Sequence, residues 1–450
     1  MSSDMWRIIL LSYLLVCLLA CQAEKKYVDD EIDRQLEYQV TIHSPSGDFD
    51  HFILPSSSDY SSIPQETANP LTEAKVELGR MLFYETGIGL EPVKSFGKET
   101  YSCASCHLPT AGFRPGAAQG IADGGVGYGS NGELRTKFIS YEPTDIDAQG
   151  IRALSVLNVG FVSNTFWNGQ FGSNDINVGT EDRWDEVEGA HVNYTGFKGL
   201  EAQNIEGVKA HRMSTNREVM ERLGYLEMYN AAFPDFPEES RFTDTTASFA
   251  LSAYLRTLLA DEAPFQKWLK GKKSAMTDQQ KRGAVVFFDK ANCVSCHSGK
   301  AFSAVNFYAL GVNDLYQRGG TFGTSAEDIR NLGRGGFTGL SEDMHKFKVP
   351  QLYNLGDAPF FFHGSSKFSL EEVVEYFDRG VPENPRVPEE QISSLLRPLY
   401  LTPQEKEDLV EFLTNGLRDP NLARYVPDAV LSGNCFPNND PFSQIDLGCN

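Results

Sequence analysis

Apolar residues recur at helical spacing in two stretches of the chain that begin in the same way. Thr72 precedes a pattern that runs through residues 78–83, and Thr277 precedes one that runs through residues 282–288. A threonine in this position caps the first turn of a helix. The pattern therefore predicts two matching leading helices.

Each half of the chain also closes with an amphipathic helix. The first closing helix is predicted over residues 249–259, and the second begins at Thr402, where Glu405 completes a capping box. Gly79 and Gly283 lie at equivalent places on the leading helices. Because glycine has no side chain, we expect each to let the leading and closing helices cross closely.

This repeat predicts a mainly α fold with two similar domains, residues 66–270 and residues 271–430, followed by a tail over residues 431–450. Long glycine-rich stretches such as residues 116–132 carry no periodic pattern, and we interpret them as loops.

Composition places the chain among soluble globular proteins. It has 450 residues, of which 41% are hydrophobic and 22% charged. The formal net charge of −21 argues against nucleic acid as a partner, because that interaction requires a basic face.

The N-terminus resembles an export signal. Residues 8–20 form an apolar run that is too short for a membrane span, and the run ends at Cys21 in the sequence LLAC. This ending resembles a bacterial lipobox, in which Cys21 carries the lipid; an ordinary signal peptide is the alternative. Residues 1–21 are thus predicted to be a lipoprotein signal and residues 22–65 a flexible tether, on the periplasmic side of a bacterial membrane.

Four cysteines belong to two C-x-x-C-H motifs, Cys103 and Cys106 with His107, and Cys293 and Cys296 with His297. This is the attachment pattern of c-type haem. The two thiols add to the haem vinyl groups, and the histidine supplies the proximal nitrogen. A redox C-x-x-C motif does not need the histidine, and a zinc site needs two such pairs brought together.

A leading helix, a haem motif, loops and a closing helix follow one another in the order of a cytochrome c domain. We therefore expect two cytochrome c-like domains with long loops and one covalent haem each.

Two further cysteines, Cys435 and Cys449, lie in the predicted tail. In an oxidising compartment they are expected to form a disulfide that pins the tail; free thiols are the alternative.

Several short segments, together with the two motifs, resemble one protein family between about Leu71 and Leu417. The segments are Leu78-Gly79 with Leu82-Phe83, Leu157-Asn158, Phe166-Trp167-Asn168-Gly169, Leu200-Glu201-Ala202-Gln203, Phe347-Lys348-Val349-Pro350, Ala358-Pro359-Phe360 with Gly364, and Leu370-Glu371-Glu372-Val373-Val374. The chain resembles the bacterial di-haem cytochrome c peroxidases and their relative MauG.

The resemblance implies that the N-terminal haem binds hydrogen peroxide. The C-terminal haem would accept electrons from a small soluble donor, a cytochrome c or a cupredoxin, and Trp167 would help electrons pass between the haems. Trp167 as a plain core aromatic is the alternative. The implied function is reduction of peroxide, or its use for MauG-like oxidation of another molecule. A non-catalytic di-haem electron-transfer protein is the alternative function.

The catalytic residues depart from the family pattern. Gln203 matches a distal glutamine, but Met213 stands where the resemblance implies an acid–base glutamate. His211 is a candidate to replace it; coordination of iron and a surface position are the alternatives. Arg212 is a candidate to stabilise charge on the leaving oxygen, against a plain surface charge. An insertion over residues 183–197 is expected near this haem pocket.

The second haem also departs from the pattern. Phe377 occupies the position at which the resemblance implies a distal iron ligand. Its neighbour Tyr376 is the candidate ligand, with His363 or an open iron as alternatives. The resemblance also implies a calcium ion between the domains, yet Arg152 stands where the family commonly has asparagine, and Asp357 takes a threonine position.

Overall fold

The computed structural model describes residues 31–449, and this part of the chain is mainly helical with long loops. Its α-helices are Glu31–His43 (α1), Glu73–Tyr84 (α2), Gly199–Ala210 (α3), Arg217–Leu223 (α4), Leu226–Ala232 (α5), Asp244–Thr257 (α6), Pro264–Leu269 (α7), Asp278–Phe288 (α8), Arg334–Thr338 (α9), Leu370–Arg379 (α10), Pro403–Glu411 (α11) and Pro441–Leu447 (α12). Two small antiparallel pairs supply the strands: Gly125–Val126 (β1) with Thr136–Lys137 (β2), and Ala304–Tyr308 (β3) with Phe347–Val349 (β4).

The predicted caps start the predicted helices. The Thr72 hydroxyl accepts a hydrogen bond from the Lys75 amide at the start of α2. Thr277 begins α8 and Thr402 begins α11 in the same way, each with a capping box. These contacts confirm the predicted helix starts.

The leading and closing helices of each half cross at a glycine, α2 on α6 and α8 on α11. A Cβ atom at Gly79 would lie 1.9 Å from the Ala250 carbonyl oxygen, and one at Gly283 would lie 1.9 Å from the Asp408 carbonyl oxygen. Any side chain at either position would force the helices apart, which confirms the expected close crossing.

Residues 31–63 differ from the flexible tether that the sequence predicts over residues 22–65. Helix α1 packs against α8 and buries Leu36 and Val40. The Asp33 carboxylate accepts hydrogen bonds from Trp268 Nε1 at 2.7 Å and from Lys281 Nζ at 2.8 Å. This burial fixes the segment on the second half of the chain, because its apolar residues have a partner there that composition does not reveal.

The predicted signal and its lipid-bearing Cys21 lie outside the described residues. Within residues 31–449, no helix combines the length and the apolar character needed to cross a membrane.

The C-terminal tail folds back over the first haem motif. Cys435 and Cys449 form the predicted disulfide. The Pro437 carbonyl oxygen accepts hydrogen bonds from the Ser102 and Ser105 hydroxyls at 2.9 and 3.1 Å. The tail therefore covers one side of the turn that carries Cys103 and Cys106.

Candidate haem-binding site

Both attachment motifs open into one cavity of about 810 Å³. The cysteines and the histidine of residues 103–107 line it, as do those of residues 293–297. Most of the remaining lining is apolar, and polar and charged side chains are interspersed among the apolar ones. A mainly apolar cavity with polar groups in fixed positions is typical of a cofactor site.

The two motifs have the same local structure. Each starts in a short 3₁₀ turn, Cys103–Ser105 and Cys293–Ser295. The His107 Nδ1 lies 3.2 Å from the Phe113 carbonyl oxygen, and the His297 Nδ1 lies 2.7 Å from the Phe302 carbonyl oxygen. A hydrogen bond at Nδ1 sets the tautomer and leaves Nε2 free to bind iron.

The protonation of these residues suits haem attachment. Burial lowers the pKa of His107 and His297 to about 4, so both rings are neutral and can act as ligands. Burial raises the pKa of the Cys103 and Cys293 thiols to about 12. A redox-active C-x-x-C pair has a lowered thiol pKa. The raised pKa of these thiols therefore argues against a disulfide-exchange site.

Three buried cations line the cavity: Arg114, Arg152 and Lys348. Burial lowers the pKa of Arg114 to about 10 and that of Arg152 to about 9. Neither guanidinium pairs with a described carboxylate; both donate to backbone carbonyl oxygens. Each haem brings two propionate carboxylates, so the charges in the cavity fit the group that the motifs imply.

The residues at the expected calcium site, Arg152 and Asp357, make hydrogen bonds within the protein. The Arg152 guanidinium donates to the carbonyl oxygens of Ala117 at 3.0 Å and Pro115 at 3.3 Å. The Asp357 carboxylate accepts from Arg418 Nε at 2.7 Å. Protein cations thus occupy both positions, which does not fit a metal cation.

The first motif faces a polar group of side chains. Gln203 and Glu206 lie on α3 and line the cavity, and His211 follows the end of that helix. The His211 Nδ1 lies 2.9 Å from the Asp147 carboxylate, which raises the pKa of His211. Burial raises the pKa of Glu206.

Sequence reasoning did not identify Asp147 or Glu206. Glu206 follows Gln203 by three residues, and this spacing on a helix is a signal that places both on one face. Asp147 lies in a loop 64 residues from His211, and no local pattern connects them.

Arg212 turns away from the cavity that His211 lines. Its backbone has a left-handed φ of 56°. Its guanidinium pairs with Asp123 and donates to the Asp145 carbonyl oxygen at 2.9 Å. Arg212 thus holds the loop around His211, and its charge lies outside the cavity lining.

Trp167 joins the two halves of the molecule. Its Nε1 donates to the Arg152 carbonyl oxygen at 2.7 Å, and its own carbonyl oxygen accepts from the Lys348 amide at 2.8 Å. Its ring lies 6.1 Å from that of His363 and 6.4 Å from that of Phe347. Trp167 is buried and lines the same cavity as both motifs.

The candidate ligands of the second haem have other partners. The Tyr376 hydroxyl donates to the Leu310 carbonyl oxygen at 2.5 Å, and Phe377 lines the cavity in its place. The His363 Nε2 lies 3.0 Å from the Asp314 carboxylate, and its ring stacks on Phe347. Helix α10 is turned so that Tyr376 packs with Val312 and Leu396 and lies outside the cavity lining.

The insertion over residues 183–197 lies at the first haem pocket, as expected. Its residues 186–189 line the cavity together with Gln203 and Glu206. Two C-x-x-C-H motifs in one cavity of a helical protein are the pattern expected of a di-haem protein of the c-type class.

Comparison with known proteins specifies this class. Residues 73–274 match the family model of di-haem cytochrome c peroxidases. Cytochrome-c peroxidase IdrP1 of Denitromonas iodatirespirans is 27% identical over 78% of this chain and 83% of its own length. Methylamine utilization protein MauG of Methylorubrum extorquens is 27% identical over 80% of this chain and 82% of its own length. These matches show that the chain is similar to the di-haem cytochrome c peroxidases and MauG proteins.

A solved structure supports the fold. A MauG-like protein associated with microbial copper homeostasis superimposes with a TM-score of 0.55 at 24% identity, covering 82% of this chain and 94% of that protein. The likeness concerns the fold alone.

Proposed function

We propose that this protein reduces hydrogen peroxide at the first haem site with electrons that reach the second site from a small soluble redox protein. Use of peroxide for MauG-like oxidation of another molecule is the second form of the same activity. The protein is an oxidoreductase of the di-haem peroxidase type, and its relatives support this activity over a non-catalytic electron carrier. The observation that carries the proposal is the His211–Asp147 pair in the cavity that both attachment motifs share.

The haem that each motif implies would supply an iron able to bind peroxide or to exchange electrons. Cys103 and Cys106 would hold it at the first site with His107 as iron ligand, and Cys293, Cys296 and His297 would do so at the second.

His211 is the proposed acid–base residue. Cleavage of peroxide requires a proton to move from one peroxide oxygen to the other. With Nδ1–H donated to Asp147, the Nε2 of neutral His211 accepts this proton and returns it to the leaving oxygen. Gln203 lines the same cavity and orients peroxide through its side-chain amide.

Trp167 is the proposed electron relay between the two sites. Its buried ring lies where the two halves meet, and its hydrogen bonds tie it to both. A fixed aromatic ring in this position shortens the electron path between the sites.

We propose that the Arg152 guanidinium takes the place of the calcium ion that the resemblance implies between the domains. Its hydrogen bonds to the Pro115 and Ala117 carbonyl oxygens connect loops there as a cation would.

We further propose export to the periplasmic side of the membrane with a lipid on Cys21. The Cys435–Cys449 disulfide supports an oxidising compartment. Mass spectrometry of the mature N-terminus tests the anchor: a diacylated Cys21 is expected, and an unmodified terminus after cleavage elsewhere contradicts it.

Stopped-flow absorbance tests the activity. The holoprotein, fully oxidised and half-reduced, is mixed with hydrogen peroxide, and a fast shift of the Soret band that a reduced donor reverses is expected. If neither state reacts and both haems are low-spin, the protein is an electron carrier.

A further inference from the structure

Lys348 is a buried cation whose ammonium group has no hydrogen-bond or ion-pair partner among residues 31–449. It lies in the middle of β4, opposite Phe307 of β3, and its side chain is 6% exposed. Its amide is bonded to Trp167, and the residue lines the cavity. Lys348 therefore lines the cavity, and no residue in the described part of the chain accepts a hydrogen bond from its ammonium group.

Two other described lysines are equally buried, and both have partners. Lys281 Nζ lies 2.8 Å from the Asp33 carboxylate. Lys75 Nζ donates to Asn69 Oδ1 at 3.2 Å and to the Pro70 carbonyl oxygen at 3.1 Å. Lys348 is thus the exception, and burial alone lowers its pKa, to about 8.

An unpaired charge in the interior is costly, typically by several kcal/mol, so such a group is found with a counter-ion. The anion must come from outside the described protein and must fit the cavity. A haem propionate meets both requirements. It is a carboxylate, and it belongs to the cofactor that the four motif cysteines in the cavity imply.

We propose that the Lys348 ammonium pairs with a haem propionate beside Trp167 and so raises the reduction potential of that one haem. The inference rests on the proposed haem content of the site. A nearby positive charge stabilises the haem that has gained an electron, and net charge and burial are the means by which proteins set such potentials. Lys348 is a positioning residue in this sense: it acts on the electron acceptor and does not touch peroxide.

The test is a potentiometric titration of the holoprotein without peroxide, followed in the visible spectrum so that both haems are resolved. In Lys348→Met, one of the two midpoint potentials is expected to fall, with about a tenfold change in that haem's reduced-to-oxidised ratio, which is about 59 mV for one electron. Lys348→Arg keeps the charge and is expected to restore most of the potential.

Lys346→Met is the matched control. Lys346 is half-buried, lies two residues away and is outside the cavity lining. Its loss is expected to leave both potentials near those of the parent. The proposal is overturned if both potentials stay unchanged in Lys348→Met, or if Lys346→Met shifts them equally.

Haem content and peroxide turnover of the parent protein are measured separately. Two titrating haems without turnover would contradict the proposed function and leave the Lys348 proposal standing. If the parent protein holds two haems and turns over peroxide, but Lys348→Met leaves both potentials unchanged, the proposed function stands and the Lys348 proposal is contradicted.

Discussion

The Asp147 carboxylate lies 2.9 Å from Nδ1 of His211, at the edge of the cavity that the first haem motif lines. This contact occupies Nδ1 and leaves Nε2 of His211 free for the proposed proton transfer. In the proposed mechanism His211 acts as the acid–base group, because Met213 occupies the position where the family resemblance implies a glutamate.

Replacement of His211 by alanine is expected to lower kcat/KM for peroxide by about 10²- to 10⁴-fold, the usual contribution of a positioned acid–base group. His191→Gln is a suitable control, since this histidine is exposed on the insertion. Glu206→Gln is expected to have a smaller effect than His211→Ala. The opposite order would assign the proton transfer to Glu206.

Asp147→Asn is expected to lower the same constant by about 10- to 100-fold, as for other residues that orient a functional histidine. It is also expected to change the pH profile. Asp147 raises the pKa of His211, and the neutral ring exists only above that pKa. Activity of the parent therefore falls as the pH drops through the raised pKa, and in the variant this acid limb moves to lower pH. An acid limb at the same pH in both proteins would exclude Asp147 from this role.

Trp167→Phe is expected to separate the two half-reactions. The phenylalanine fills most of the space but cannot donate to the Arg152 carbonyl oxygen, and it is harder to oxidise than tryptophan. The first reaction of the half-reduced protein with peroxide should keep its rate, whereas oxidation of the second haem should slow at least tenfold. Double-mixing stopped-flow measures both steps. If the second haem is oxidised at the same rate in the parent protein and in Trp167→Phe, Trp167 serves only in packing.

Removal of the tail disulfide by Cys435→Ser with Cys449→Ser is expected to destabilise the protein by about 3 kcal/mol, from the chain entropy of a loop of this length. The two cysteines are 14 residues apart. Guanidinium unfolding of the holoprotein measures the change. Because the tail covers Ser102 and Ser105, the loss should also increase hydrogen exchange at the first motif while the second motif stays protected. Equal exchange at both motifs would show that the tail does not protect the first.

The local features of this protein follow from short sequence patterns. Thr72 and Thr277 begin helices because their hydroxyls bond to the first turn of the same helix. Gly79 and Gly283 mark the helix crossings because no other residue permits the approach. The two C-x-x-C-H motifs carry their chemistry within five residues, so a single sequence suffices to recognise them.

The contacts that specialise the site join residues far apart in the chain. Asp147 meets His211, the Lys348 amide meets Trp167, and Asp33 on α1 meets Lys281. The Tyr376 hydroxyl donates to the Leu310 carbonyl oxygen, and Phe377 lines the cavity. The packing of helix α10 sets the rotation of the helix about its axis and so decides which of the two side chains lines the cavity. The sequence by itself determined the helix starts, the two C-x-x-C-H motifs and the resemblance to the di-haem peroxidases. Only the tertiary structure decided which charged and aromatic groups face the cavity, because that depends on how distant segments pack.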